Sequence, residues 1–317
     1  MVRYIIRRLV AMVITLFVIS VIIFVMSEVV PVDPARSILG QYTTDEAVAA
    51  LRVKMELDHP LAERYVKWLS RTLRGDLGES YRLGLEIKPI LLTRFRNSLY
   101  LAVLGMIMLV PVSLVAGVIA GLTEGRWPDW VISISALLTT SLPEFVTGTL
   151  LIIIFSWWLK VLPGNSLPGA EDGNPLAQPE KLILPAATLA ISQFGYVVRI
   201  TRVSINKVMK SAYIRTAVLK GLPRRTIVFR HGLRNALVAP ITVMTTQLGW
   251  MIGGLIVIES LFSYPGLGRL FASAATFNDI PLLEVSALLG VVVAVASQLA
   301  ADILYGLLNP LIRRGQT

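Results

Sequence analysis

The stretch LYLAVLGMIMLVPVSLVAGVIAGL, residues 99–122, holds 24 consecutive residues without a charged side chain. About 20 apolar residues in a helix cross the hydrocarbon core of a bilayer, which is roughly 30 Å thick. The stretch therefore predicts a membrane-spanning helix. The whole composition agrees, because 55% of the 317 residues are hydrophobic and only 16% are charged, with a mean hydropathy of +0.69. Charges that cluster between long uncharged runs are typical of a polytopic membrane protein.

Six stretches are long and apolar enough to be read as spans. Only Glu144 interrupts the third of them, and the fourth is short and contains Gln193. The first is longer than a signal-peptide core and lacks a small-residue cleavage site, so we expect it to be retained. The sequence thus predicts an all-α polytopic membrane protein, a single domain over residues 1–317 with six transmembrane helices at residues 9–30, 99–122, 130–159, 182–198, 236–258 and 285–308.

The distribution of Lys and Arg sets the orientation of these spans. With the N-terminus inside, the inner segments hold sixteen Lys and Arg, whereas the short outer loops hold only Lys160, Lys181 and Arg269. An excess of positive charge marks the cytoplasmic side, so both termini are predicted to be cytoplasmic. Residues 31–97 then form an extracytoplasmic subdomain between spans one and two. Apolar and aromatic positions at helical spacing predict a helix near residues 61–73 of it.

The sequence lacks the common signatures of catalysis and of metal binding. It contains no Cys, and its two His residues, His59 and His231, stand far apart, so we expect no metal site. The dipeptide Gly-Lys does not occur, which excludes a phosphate-binding loop for ATP. Neither a Gly-x-Ser-x-Gly elbow nor a His-Glu-x-x-His helix is present. We therefore expect a non-catalytic chain without a cofactor of its own.

Polar groups inside the predicted spans are candidates for a solute path. Glu144 falls about midway along the third span, where an ionised carboxylate is costly and favours the bundle interior or a wet cavity. It is either a polar contact on a solute path or gate, or a protonated or locally paired group that fixes helix packing. The residues alone leave both readings open. Gln193, Gln247 and Gly253 are the other candidates for the path.

The segment between spans four and five, residues 199–235, is strongly basic. It contains ten Lys or Arg and no Asp or Glu. Residues 207–220 lack Pro and Gly and are predicted to be helical, Gly221 suits a helix C-terminus, and Pro223 suits a stop just beyond it. A second helical stretch begins at Arg224 and leads into span five. The segment therefore predicts a cytoplasmic elbow, and a partner that grips its turn would move two spans together.

The elbow resembles a known family at this point. Arg215, Thr216 and Ala217, followed by Gly221, resemble the EAA-type loop of bacterial ABC-importer permeases. The longer run YIRTAVLKGLPRRTIVFRHGLRNAL, residues 213–237, resembles its form in dipeptide and oligopeptide permeases. Arg and Thr stand where Glu and Ala are usual, as is typical of the peptide and nickel branch. The resemblance covers nearly the whole chain, including GDLGES at 75–80, LPEFVTGTLLI at 142–152, IGGLIVIESLFSYPGLGRL at 252–270 and LYGLLNPLIRR at 304–314.

This resemblance implies a type I ABC-importer permease fold in the bacterial cytoplasmic (inner) membrane. It implies as partners a second homologous permease, one or two ATPase subunits that bind ATP and Mg²⁺, and an extracytoplasmic solute-binding protein. Substrates of the branch are dipeptides or oligopeptides, nickel or metal chelates, glutathione, opines and oligosaccharides. The implied coupling residues, which would dock in a groove of the ATPase, are Arg215, Thr216, Ala217, Val218, Lys220, Gly221, Leu222, Arg224 and Arg225.

Two functions of other classes compete with this interpretation. An ion-coupled secondary transporter or channel acting without an ATPase should show inverted repeats or paired intramembrane charges, and neither is evident in the sequence. A membrane anchor could use the basic elbow to bind anionic lipid or nucleic acid. Nucleic acid is not expected as a partner, because the elbow has only Tyr213 and Phe229 as aromatic residues. Arg199 and Arg202 are assigned to topology or lipid contact.

Overall fold

The computed structural model describes residues 2–29, 43–54, 59–167, 175–253 and 255–308. Within these residues the chain is helical, and an isolated bridge between Glu79 and Glu86 is the only β-type pairing. The predicted all-α fold is therefore confirmed. The α-helices of seven residues or more are α1 Val2–Val29, α2 Asp45–Lys54, α3 Leu61–Leu73, α4 Ile87–Leu122, α5 Trp127–Ser141, α6 Glu144–Leu151, α7 Glu180–Met209, α8 Ala212–Leu219, α9 Val238–Gly253, α10 Leu255–Leu261, α11 Leu267–Thr276 and α12 Ile280–Leu308. Shorter or π-helical segments are Ile152–Trp158, Pro175–Ala177, Arg224–Thr226, Ile227–Gly232 and Leu233–Ala236.

Four segments of the described chain are long and apolar enough to cross a membrane: Ile6–Ser27, Ile87–Leu122, Glu180–Met209 and Ile280–Ile303. The pair Trp127–Ser141 and Glu144–Trp158 makes a fifth if it is counted as one broken span. The predicted fifth span, residues 236–258, is divided between α9 and α10, and residue 254 lies outside the described part. The count of six spans therefore stays a prediction.

The predicted third span is not one continuous helix, because it is broken beside Glu144. Its two halves meet at an angle of 106°. Proline has no N–H to donate and disfavours helical backbone in the residue before it. Accordingly Leu142, which precedes Pro143, is extended, with φ −88° and ψ 128°. Glu144 is therefore the first residue of α6 and lies directly beside the break.

The centre of the bundle is the contact between α4 and α7. Two glycines one helical turn apart, Gly117 and Gly121, let the helices approach closely. A Cβ on Gly117 would lie 2.5 Å from Cβ of Thr201, and one on Gly121 would lie 2.7 Å from Cβ of Ile205. Bulkier side chains fill the outer half of the bundle, where the buried core includes Leu101, Leu184, Leu189, Met251, Leu255, Phe262 and Tyr264.

The helix predicted near residues 61–73 is present as α3, and it lies against the first span. The Tyr65 hydroxyl is 2.8 Å from the Ser20 hydroxyl, within hydrogen-bonding distance. The rings of Tyr65 and Trp68 lie 5.5 and 5.7 Å from the ring of Phe24 on α1. Aromatic contacts of this geometry add to the stabilisation from buried area. The helix is thus fixed to the outer half of α1.

Candidate functional site

The elbow begins where α7 ends. The sequence predicts one helix through residues 207–220, but the structure ends α7 at Met209 and starts α8 at Ala212. Between them Ser211 is extended, with φ −72° and ψ 156°. Its hydroxyl donates a 2.5 Å hydrogen bond to the carbonyl of Val208 at the end of α7. The eight-residue helix α8 is therefore a separate element rather than an extension of the span.

Gly221 ends α8 in a Schellman motif. Its N–H donates to the Val218 carbonyl at 2.9 Å, and the Leu222 N–H donates to the Ala217 carbonyl at 3.4 Å. Gly221 has φ +72°, a backbone conformation that glycine adopts at little cost. Pro223 follows with φ −63° and ψ 141° and starts the next helical stretch at Arg224. The turn predicted from Gly221 and Pro223 is present.

The elbow has a small core of its own. Ile214, Ala217 and Ile227 are buried there, with Met209 and Leu222 packed against them. Contact between Ala217 and Leu222 is the apolar contact that commonly accompanies a Schellman motif. Ala217 and Leu222, both predicted to contact the ATPase, therefore face the inside of the elbow. The surface available to a partner is formed by other side chains.

The outer surface of α8 is apolar at its centre and basic at its edge. Val218 is 56% exposed and Leu219 is 82% exposed, which makes Leu219 the more prominent of the two. Leu219 was not among the predicted coupling residues. Ile214 and Ala217 are buried, which places residues 215, 216 and 219 on the opposite face of α8. Helical periodicity thus identifies Leu219 as outward-facing only once the buried face is known. The remaining predicted residues are also exposed: Arg215, Thr216, Lys220, Gly221, Arg224 and Arg225.

Ion pairs, here called the ionic clamp, join the inner end of α7 to the first turn of α5 and to the loop before it. Arg202 donates two hydrogen bonds to Asp129, at 2.5 and 2.8 Å, and the Gly125 N–H donates a third to the same carboxylate at 2.9 Å. Lys210 lies 2.7 Å from Glu124. Arg202, assigned from sequence to topology or lipid, instead has a buried carboxylate partner. The clamp thus links the end of α7, next to the elbow, to α5 and to the loop between α4 and α5.

The structure brings two of the four path candidates together. The Gln247 side-chain amide donates a 2.6 Å hydrogen bond to the side-chain oxygen of Gln193, joining α9 to α7. Glu144 is half-buried at the start of α6, and in the described part of the chain no hydrogen bond to its side chain is seen. Gly253 is the last residue of α9, next to undescribed residue 254. No cluster of three His, Cys, Asp or Glu suited to a metal ion occurs within the described residues.

Comparison with protein families decides the assignment. The family described as the binding-protein-dependent transport system inner membrane component matches residues 113–314, and the N-terminal family of the same systems matches residues 1–109. The chain belongs to this family. It is thus a permease subunit of an ABC importer, a multi-pass protein of the bacterial inner membrane. The alternatives of an ion-coupled transporter and a membrane anchor are not supported.

Individual relatives agree with the family. The permease is 35% identical over 313 residues, 99% of each chain, to the glutathione transport system permease protein GsiC of Escherichia coli strain CFT073. It is 34% identical over the same length to GsiC of strain K12. The fold resembles solved structures of an amino acid ABC transporter and of the MetNI methionine ABC transporter. These have TM-scores of 0.52 and 0.55 and 14% identity, and they cover 68% and 69% of this permease and 93% and 96% of their own chains.

Proposed function

We propose that this permease imports short peptides, or a closely related small solute, and forms half of a translocation path with a second, homologous permease. Support for the solute class comes from the relatives named for glutathione transport, since glutathione is a tripeptide. A solute-binding protein would deliver the solute at the outer face. ATP and Mg²⁺ would be bound by one or two ATPase subunits, because this chain has no phosphate-binding loop and we propose that it is non-catalytic.

We base on the exposed face of α8 the proposal that an ATPase subunit drives transport through the elbow. Leu219, 82% exposed on the cytoplasmic side, is suited to an apolar pocket in a partner. Arg215 and Lys220 flank it and would meet acidic groups around that pocket. A buried apolar anchor with a charged rim is a common arrangement in protein interfaces. Docking of this face on an ATPase subunit would make α8 the coupling helix.

Transport would then proceed by alternating access. Closure of the ATPase pair on binding ATP would displace α8, and the clamp between Arg202 and Asp129 would carry this displacement to α4 and α5. A ligand shifts a conformational equilibrium only by its difference in affinity for the two states. ATP would therefore favour the outward-open state, and hydrolysis would restore the inward-open one.

Leu219→Asp tests the docking surface. Because Leu219 is largely exposed, the change should alter folded stability by less than about 0.5 kcal/mol. Burying a charge at an interface anchor should weaken ATPase binding by roughly tenfold or more. We would purify the permease with its ATPase subunits and measure solute-stimulated ATP hydrolysis in proteoliposomes. Both copurification and stimulation should fall.

The matched control is Leu73→Asp on the outer helix α3, where the leucine is 79% exposed. It should leave copurification and hydrolysis unchanged. Equal loss of hydrolysis in the two variants, with normal membrane insertion, would contradict docking through α8.

A further inference from the structure

Three arginines line a cavity of about 420 Å³ at the outer face of the permease. Arg82 lies in the turn before α4, Arg94 lies near the outer end of α4, and Arg269 lies in α11. We call this cavity the arginine pocket. Its polar wall is completed by Ser273 and Asp279, and its apolar wall is formed by Leu83, Leu167, Pro265, Leu270, Ala274 and Leu282.

The carboxylate that lines the pocket, that of Asp279, already accepts hydrogen bonds from neighbouring residues. Asp279 is buried and accepts hydrogen bonds from the Ser80 hydroxyl at 2.5 Å, the Tyr81 N–H at 3.1 Å and the Arg82 N–H at 3.4 Å. It thereby holds the turn before α4 against the start of α12. Its lone pairs are directed to neutral donors rather than to the guanidinium groups.

A second carboxylate, that of Glu259 in α10, lies behind the pocket and also accepts its hydrogen bonds from uncharged donors. It is fully buried and accepts from the Ser98 hydroxyl at 2.5 Å and from the Arg269 backbone N–H at 2.9 Å. A Cβ on Gly266 would collide with this carboxylate, so the glycine is needed for the loop to close over it. Glu259 therefore serves as an anchor for the loop that leads into α11.

Within the part of the chain that the structure describes, none of the three guanidinium groups has a carboxylate oxygen within 4 Å, so donors of the pocket are left without a carboxylate partner there. The guanidinium of Arg269 donates to the Ser263 carbonyl at 2.5 Å, and that of Arg82 lies 3.3 Å from the centre of the Phe277 ring. Arg94 is partly buried, and its charge faces that of Arg269 as well as that of Glu259. Like charges held together in a partly buried cavity favour binding of an anion.

We propose that the arginine pocket binds the carboxylate of a short peptide at the outer face of the permease. A planar guanidinium matches a carboxylate with two parallel hydrogen bonds, and the leucine wall suits an adjacent apolar side chain. The volume falls in the range of small-molecule sites, about 300 to 1,000 Å³. The choice of a peptide rests on the proposed function, whereas the choice of a carboxylate rests on the pocket.

The test measures binding directly, without nucleotide or solute-binding protein. The assembled complex in nanodiscs is titrated calorimetrically with the tripeptide Ala-Leu-Ala and with its C-terminal amide. The amide should bind roughly tenfold to a hundredfold more weakly, because charge-assisted hydrogen bonds are lost. Arg94→Gln should weaken binding of the free acid to a similar extent and leave the amide unchanged. Arg82→Gln, at an exposed side chain, repeats the test in case Arg94→Gln fails to fold.

Arg96→Gln is the matched control, because Arg96 is an exposed arginine of the same helix that does not line the pocket. Equal binding of acid and amide, or equal weakening by Arg94→Gln and Arg96→Gln, would overturn the proposal. Separate assays of ATP hydrolysis with loaded solute-binding protein distinguish the two levels. If peptide-loaded protein stimulates hydrolysis but the complex binds acid and amide equally, the proposed function stands and the pocket proposal is wrong. If the complex prefers the acid but no peptide stimulates hydrolysis, the pocket proposal stands and the proposed function is wrong.

Discussion

Replacement of Gly221 by alanine perturbs the elbow through its backbone alone. Gly221 has φ +72°, and a Cβ built there meets no atom within 4 Å, so alanine would encounter strain without a clash. An L-residue with a side chain pays about 1–2 kcal/mol in this conformation. That cost falls on the Schellman turn that fixes the end of α8. If the ATPase recognises the preformed turn, its affinity should fall by about fivefold to thirtyfold.

Gly78→Ala is a closely matched control for this change. Gly78 has φ +73°, also has open space around a built Cβ, and lies in the outer turn that precedes α4. Both variants should lose similar stability in thermal unfolding. Titration of ATPase subunits onto the permease in nanodiscs should detect weaker binding only for Gly221→Ala, and Gly221→Asn should recover part of it because asparagine tolerates this conformation better. Unchanged affinity for Gly221→Ala, or the same loss for Gly78→Ala, would refute a role for the turn.

Two further predictions concern the helix packing that supports the elbow. Arg202→Gln leaves Asp129 buried without its ion pair, which should lower the free energy of unfolding by roughly 2–3 kcal/mol, given that the arginine side chain is 31% exposed. In thermal unfolding, the double variant Arg202→Gln with Asp129→Asn should lose less stability than the sum of the losses in the two single variants. Strictly additive losses would show that the two side chains do not stabilise each other. Gly117→Leu should separate α4 from α7 and abolish the folded, monodisperse permease on size-exclusion chromatography, because its Cβ would overlap Thr201. Gly290→Leu, at a glycine with no atom within 4 Å of a built Cβ, should remain folded, and equal tolerance of both leucines would show that α4 and α7 do not pack in this way.

Hydropathy and charge predict much of this fold, because both follow from local composition. Runs such as residues 99–122 identify spanning helices without knowledge of their neighbours. A proline at position 143 weakens a helix wherever it occurs, but the sequence does not give the size of the bend, 106°, or the packing of α6 against α7 and α10. Likewise, α7 and α8 are separated at Ser211, whose backbone is extended although the surrounding residues are compatible with a helix. The bend and the break depend on tertiary packing or on the conformation of one residue. Neither hydrophobic periodicity nor helix propensity predicts them.

Some parts of the candidate site could be predicted from the sequence, and others could not. Gly221 and Pro223 have strong local preferences, so the turn of the elbow followed from sequence. Which residues face outward did not, because the inner face of α8 is defined by contact with Ile227 across the turn. The partnership of Arg202 with Asp129 joins residues 73 positions apart, a separation at which a single sequence has no pairing signal. The arginine pocket has the same origin, since Arg94 and Arg269 meet only through the fold.

The absence of Cys from the sequence permits one direct test of the central claim, that α8 is the surface through which an ATPase drives this permease. A single Leu219→Cys, labelled with a short photoactivatable cross-linker before the ATPase subunits are added, samples the immediate neighbourhood of that side chain in the assembled complex. The account predicts a cross-link to the ATPase subunit, and none from Leu73→Cys on the outer face. A complex that hydrolyses ATP in response to solute, yet yields no ATPase adduct from position 219, would contradict it.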